Sequence, residues 1–543
     1  MRRVLVIPFL VVLVLAMGAP GRAATNTSFP KRAPDPVRGV GGGEALYRNP
    51  PSPICTTAPS LAANVNTDCE PGVGIHNETA IAVNPTNPLN MIGSANDYQL
   101  KVSAGGQVHE TVFSRAHVTF DGGETWTTYP VRFNGYKFTG DPSVAFDGDG
   151  VAYLATLAGG GDNTPDVVVS RSPDGGRHWS TPVLVAAGKG SFSGRSVFPD
   201  HPILAAWGHG NVIVTWIQYI IGHRAASLVT VPIVDAVSHD HGATFSGIND
   251  ISGSAPFCIG LAAAHSCDQT WGNAPAVSPT GDIVVSFYDT SEYAPDGSTN
   301  LARNTHMAVR VDPATGALAE GPFLIGLAYD GINEGDFPVS VDGRQTLHDS
   351  EFRLLMQGNI AADPTDATGR HFAVVWFDDR NAPLPVDPDP YKAVTNSDVI
   401  VSQSFDGGRT WSAPAAIAQP GDQFMPWAAY DSSGRLRVGY FDRSYDPANH
   451  EYGYTLATET APGSLTFSTQ QVTTELSNPT TGDRFFAVNV DPGFPFATRF
   501  VGDYSGIATT PGHVVAYWTD MRETVCVGGR CGAGENTYFA NVP

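Results

Sequence analysis

Ser404-Phe405-Asp406-Gly407-Gly408-Arg409-Thr410-Trp411 recurs along the chain. Thr119-Phe120-Asp121-Gly122-Gly123-Glu124-Thr125-Trp126 is a second copy, and Ser172-Pro173-Asp174-Gly175-Gly176-Arg177-His178-Trp179 is a third. Ser238-His239-Asp240-His241-Gly242-Ala243-Thr244-Phe245 is a worn fourth. The shared pattern is Ser/Thr-x-Asp-x-Gly-x-Thr-Trp. Its Asp carboxylate accepts hydrogen bonds from backbone N–H groups just ahead of it and closes a tight turn. Its glycine permits a positive φ at which a side chain would clash. Its final aromatic folds back as an apolar plug between neighbouring sheets. Short β-type runs flank each copy, as 166–171 and 182–187 flank the third. The stretch therefore reads as the hairpin turn of a repeated β unit.

At these residues the chain resembles the Asp-box, or bacterial neuraminidase repeat, of sialidase-like β-propellers. The resemblance runs from about Ile75 to the C-terminus. It implies fold more strongly than activity, because such boxes also occur in propellers that are not sialidases. The four structural Asp-box carboxylates are Asp121, Asp174, Asp240 and Asp406.

Outward from the boxes, a longer unit repeats. A polar lead-in precedes a short apolar strand, a Gly/Asp/Asn turn and a second, more hydrophobic strand. A variable loop, a third strand, the box and a fourth strand follow. The second strand is the easiest to count: 91–94, 151–157, 212–217, 283–288, 372–377, 436–441 and 514–518. Substitute turns stand where the box is lost, at Asp312 to Gly316 and at Ala461 to Ser464. The seventh unit ends on its third strand, so a strand from the N-terminal side is expected to complete that sheet. No stretch holds a helical period over three turns. The expectation is an all-β fold, a β-propeller of four-stranded blades, with seven blades and six as the alternative.

The remaining composition sets the context. With 543 residues and 42% hydrophobic content, the chain can bury a large core. Arg2 and Arg3, the apolar run 4–17 and the small residues around Ala23-Ala24 read as a signal peptide over 1–24. Residues 25–74 read as a Pro/Gly-rich linker with a disulfide loop, and 75–543 as the propeller. No other long apolar run exists, so no membrane span is expected in the mature chain, which is expected to be secreted, extracellular and monomeric. Six cysteines form three close pairs: Cys55 with Cys69, Cys258 with Cys267, and Cys526 with Cys531. In an exported chain these suggest three local disulfides. The formal charge of -22 argues against nucleic acid as a partner.

Topology tells where chemistry belongs. The boxes join strands three and four and so lie on one face, the bottom. The lead-ins to strand one and the loops after strand two share the other face. The lead-ins carry Glu78, Asp141, Asp200 with His201, Asn273, Asp422 and Asp503 with Tyr504. These polar groups either satisfy strand ends or form an acidic centre around the channel mouth. Such a centre could hold a general acid, or a Ca²⁺ ion through oxygen ligands. Strand two often ends in Asp, and Arg380, Arg443 and Arg522 follow closely. They either pair with those Asp residues or converge, with Arg499, to clamp a carboxylate.

Sialidases as a family use three arginines on the substrate carboxylate, a Tyr nucleophile assisted by a Glu, and an Asp acid/base. The resemblance therefore implies Tyr504, Glu78 and Asp141 as catalytic candidates. It implies Arg380, Arg443, Arg522 and Arg499 as substrate-binding candidates. The family's Arg-Ile-Pro signature is absent, and the first lead-in reads His76-Asn77-Glu78-Thr79. Two functions follow: a secreted sialidase-like exo-glycosidase acting on glycans, or a non-catalytic extracellular propeller that binds glycan or protein.

Overall fold

A computed structural model describes residues 64–68, 74–102, 108–133, 135–160, 164–190, 196–222, 230–290, 304–329, 337–383, 392–483, 485–488, 497–527 and 530–543. The expected signal peptide and most of the linker lie outside these residues. Among the described residues the secondary structure is all β, without a helix, and no helix is long and apolar enough to cross a membrane.

Seven antiparallel sheets form the blades of a β-propeller. The second strands are Met91–Val102, Ala152–Gly159, Asn211–Ile221, Ile283–Asp289, Phe372–Asp378, Leu436–Asp442 and His513–Asp520. Each coincides with one of the seven apolar runs counted in the sequence, to within one residue at Val151. Strands that pack on both faces read as continuous hydrophobic runs, and Phe372–Asp378 is buried at every position. The seventh sheet is closed from the N-terminal side. Val65–Asn66 pairs with Asn536–Val542 as its outermost strand, Val65 opposite Phe539. Chain ends that share one sheet close the ring without leaving a blade incomplete. The first blade carries an extra strand, Val108–Ser114, on the distal half of its second strand.

Apolar side chains from adjacent sheets form the core between blades. Trp126 is fully buried and sits 4.9 Å from the ring of Phe539 in the seventh blade. Thus the aromatic of one recurring turn lies where the ring closes. Asp406 shows how the turns hold. Its carboxylate accepts hydrogen bonds from the Thr410 N–H at 2.9 Å, the Thr410 hydroxyl at 2.7 Å and the Ser404 hydroxyl at 2.9 Å. Asp121, Asp174 and Asp240 accept the N–H four residues ahead in the same way, each at 2.9 Å. Gly407 and Gly408 take φ values of +80° and +87°, the left-handed region glycine enters without cost.

Registers fix the two faces. Phe372, at the start of its strand, lies opposite Ser404, beside the Asp406 turn. Asp200, in a first-strand lead-in, lies opposite Ile217, toward the far end of its second strand. The recurring turns and the lead-ins are therefore at opposite ends of the blades.

Of the three disulfides expected from the sequence, the structure describes two. Cys258 is bonded to Cys267, and Cys526 to Cys531. The third expected bond does not appear with them, because Cys55 and Cys69 both lie outside the described residues. Cys69 falls just past the 64–68 segment that closes the ring.

Candidate active site

The innermost strands do not run straight to the channel mouth. Register shifts interrupt five of them, between Asn77 and Ala80, Gly140 and Ser143, Asp200 and Ile203, Trp271 and Ala274, and Phe424 and Trp427. A left-handed residue sits in each bulge: Glu78 at φ +57°, Asp141 at +54°, His201 at +51°, Gly272 at +63° and Met425 at +50°. Positive φ is costly for residues other than glycine and is held only where the surroundings enforce it. Here the bulges re-aim side chains toward the axis.

Three of the sequence-predicted candidates meet there. Glu78, Asp141 and Tyr504 are buried together, joined by Asp200, His201 and Asp503. Asn96, on the second strand of the first blade, donates to a Glu78 carboxyl oxygen at 2.5 Å and accepts the Asp141 N–H at 2.8 Å. The carboxyl of Asp141 lies within hydrogen-bonding reach of both Glu78 and Asp200. Two ionised carboxylates cannot share such a contact, so the row retains protons. Burial, with Asp141 and Asp503 nearby, holds the Glu78 carboxyl well above its ordinary range. Burial and Asp141 do the same to Asp200, and burial raises Asp141 as well. His201 is pushed down to about 4 by burial and is neutral. The Tyr504 hydroxyl donates to the Pro142 carbonyl at 3.3 Å, and burial beside Glu78 and Asp141 keeps it protonated.

The positive charge comes from a segment absent from the candidate set. Residues 337–357 lead into the fifth blade and lie over the channel mouth. Phe337, Leu347, Phe352 and Leu354 anchor the segment in a core shared with Phe377, Phe424 and Phe441. From it Arg353 reaches Asp503 in a two-pronged contact: Nε donates to Oδ1 at 3.0 Å, and Nη2 donates to Oδ2. Nη2 also lies 3.9 Å from Glu78. Burial opposes the Arg353 charge, but the surrounding acids, Asp503 first and then Glu78 and Asp200, together outweigh it and raise its pKa. Arg344 stands nearby, half-buried, and makes no ion pair among the described residues. Burial and the neighbouring Arg353 lower its pKa to about 10, so it remains a cation at neutral pH.

The predicted arginines do not gather on Tyr504. Arg380 grips Asp378 at 2.8 and 2.7 Å and donates to the Leu327 carbonyl of the preceding blade. Arg522 grips Asp520 at 2.8 and 2.7 Å and reaches Thr474. Arg443 is fully buried, 3.3 Å from Asp422, and donates to the His348 carbonyl. Alternation along a strand brings Asp and Arg two residues apart to one side, and there they satisfy each other. Arg499 packs beside Arg353: its carbonyl accepts the Arg353 N–H, while its guanidinium is taken by Asp342 at 2.6 Å. Asp422 also stands apart from the acid row, whereas Asn273 adjoins it through His201. Asp422 takes four hydrogen bonds around Arg443, and Asn273 donates to the His201 carbonyl.

Arg353 supplies the positive charge among the acids, 3.9 Å from Glu78 and paired with Asp503. The cavity beside Asp141, Asp200, Arg353 and Asp503 measures about 10 Å³, room for one water. A second cavity of about 180 Å³ lies around Tyr504, Trp427 and Pro142.

No protein-family model matches the chain, and no curated protein matches its sequence. Among solved structures it is similar to a protein of unknown function from Dyadobacter fermentans, at 13% identity and a TM-score of 0.44, over 76% of this chain and 97% of that one. It is similar to a Hadza microbial sialidase, at 14% identity and a TM-score of 0.36, over 67% of this chain and 63% of that one. It is also similar to an alpha-L-arabinanase from Penicillium chrysogenum, at 12% identity and a TM-score of 0.40, over 87% and 97%. At these values no residue's role passes from one chain to the other.

Proposed function

We propose that the protein is an exported exo-glycosidase acting on a glycan that carries a carboxylate, as a sialoside does. The observation that carries this is the row of buried carboxyls, Glu78, Asp141 and Asp200, gathered beside the Arg353 guanidinium with Arg344 near it; their burial together favours retained protons. Glycoside hydrolysis needs a group still protonated at working pH to donate to the leaving oxygen. A buried carboxyl with a raised pKa fits that task, and Asp141 is assigned to it. A nucleophile is needed on the sugar. Tyr504 is assigned to it, with Glu78 accepting the phenol proton once ionised. A carboxyl with a raised pKa is the stronger base when it does ionise. Arg344, which makes no ion pair among the described residues, takes the substrate carboxylate, and Arg353 exchanges part of its hold on Asp503 for the ligand.

A panel of fluorogenic glycosides, sialosides included, tests this with wild-type protein and Glu78→Gln. Hydrolysis of an acidic glycoside by the first and not the second supports it. The second reading, a propeller that binds without turnover, is favoured by the small cavity at the acids. It predicts sialoside binding with no hydrolysis.

A further inference from the structure

At the seam of the second and third blades, on the face opposite the acid row, three turns meet. Asp147-Gly148-Asp149-Gly150 joins the first two strands of the second blade, and Gly208-His209-Gly210 does so in the third. His241 belongs to the recurring turn of the third blade. Backbone bonds lock the turns together: Gly148 N–H to the Gly208 carbonyl at 2.7 Å, and His241 N–H to the Gly210 carbonyl at 2.9 Å. A guanidinium nitrogen of Arg171 donates to the His241 carbonyl at 2.8 Å.

The side chains form a donor set. Asp147 is fully buried, and its Oδ1 accepts the N–H groups of Asp149 and Val151, each at 3.0 Å. Its Oδ2 accepts the Tyr153 hydroxyl at 2.7 Å and faces His241 Nδ1 at 3.2 Å. Asp147, Asp149 and His241 each place a ligand atom within 4.8 Å of the other two. His209 Nδ1 lies 2.7 Å from Asp149 Oδ1. The His241 ring lies close over Gly210, where a Cβ would come within 2.7 Å of it. Three other copies of the turn have glycine at the equivalent place, Gly122, Gly175 and Gly407, at φ +80°, +72° and +80°. His241 takes φ +57° there and presents an imidazole to the seam.

We propose that Asp147, Asp149 and His241, with His209 as the fourth ligand, bind a Zn²⁺ ion that clamps the second blade to the third. Two imidazoles and two carboxylates suit zinc, whereas Ca²⁺ and Mg²⁺ take oxygen ligands throughout. Zinc draws its ligands in to about 2.0–2.2 Å, and the half-exposed His241 and exposed His209 have the freedom to close. The Tyr153 hydroxyl on Asp147 is the outer partner that orients a ligating carboxylate. Four protein ligands leave no open position, so the ion's task is structural.

The test uses untagged full-length protein stripped with a chelator and titrated with ZnCl₂ by calorimetry, with melting followed in parallel. One equivalent of Zn²⁺ binds wild-type protein and raises its Tm, and CaCl₂ at equal concentration does not. His241→Gly restores the residue that suits the turn, so it folds, yet it binds Zn²⁺ at least about tenfold more weakly. Asp149→Asn, in an exposed turn, gives the same loss by a separate route. No zinc binding by the wild type, or undiminished binding by both variants, overturns the proposal.

Discussion

Replacing Arg353 by Met removes the guanidinium that the acid row faces most closely. The bidentate contact to Asp503 is lost, as is the 3.9 Å approach to Glu78. Asp503 is 4% exposed and Glu78 1%, so water does not replace the lost partner. Breaking one side of a buried pair costs about 3–5 kcal/mol, a large share of the roughly 5–15 kcal/mol that holds a domain folded. The protein can relieve that cost by taking up a proton. The sign follows from the direction of the shift. A carboxyl whose pKa is higher folded than unfolded makes the native state bind more protons, so stability falls as pH rises from the ordinary carboxylate range through the folded pKa. Glu78, Asp141 and Asp200 already give the wild type that slope. Arg353→Met adds to it, so the gap between variant and wild type widens with pH, by up to about 1.4 kcal/mol per unit for each further proton. Urea unfolding at pH 5, 6.5 and 8 measures it, and Asp503→Asn in the same chain should recover most of the loss. A gap that is constant with pH, or smaller than about 1 kcal/mol, refutes the account of the acid row.

Other outcomes follow from the same geometry. Asp406→Ala removes a carboxylate that accepts from Ser404 and Thr410, and lowers stability by about 1–3 kcal/mol; calorimetric melting shows the loss, and sialoside affinity is unchanged because the turn is on the other face. Arg522→Ala exposes the Asp520 pair and lowers Tm, while an affinity measurement on the same variant shows no change, the reverse of what a substrate clamp would give. Tyr504→Phe gives up one long hydrogen bond to Pro142; binding and melting stay close to wild type and turnover is abolished.

The sheet was legible because its period is rigid. Seven apolar runs marked seven second strands, and the missing fourth strand of the last unit pointed to an N-terminal strand, which Val65–Asn66 supplies. The lead-in acids were legible for the same reason: Glu78, Asp141, Asp200 and Asp503 hold equivalent places in their units and so meet at one axis. For the arginines the sequence left two readings, pairing with the nearby Asp or converging on a substrate, because topology gave their level in the blade but not their partners. Asp378 and Asp520 stand two residues from Arg380 and Arg522, and a local pair forms before a distant cluster can. Arg344 and Arg353 were missed because the stretch from 337 to 357 has neither period. Its one signal was Phe337, Leu347, Phe352 and Leu354, apolar residues too many for a solvated loop. Such a segment has to bury itself somewhere, and the channel mouth is where it lies.

The proposed function requires Arg344 and the acid row to act on one anionic sugar. The most direct measurement is kcat/KM for a fluorogenic sialoside and for a neutral glycoside, with wild-type protein and Arg344→Met. Wild type should turn over the sialoside in preference. Arg344→Met should lose about 30-fold or more on it, the loss expected when a charge-paired contact of about 2 kcal/mol or more is removed, with its Tm held. Wild-type protein that hydrolyses no sialoside, or an Arg344→Met variant that hydrolyses it undiminished, contradicts the account.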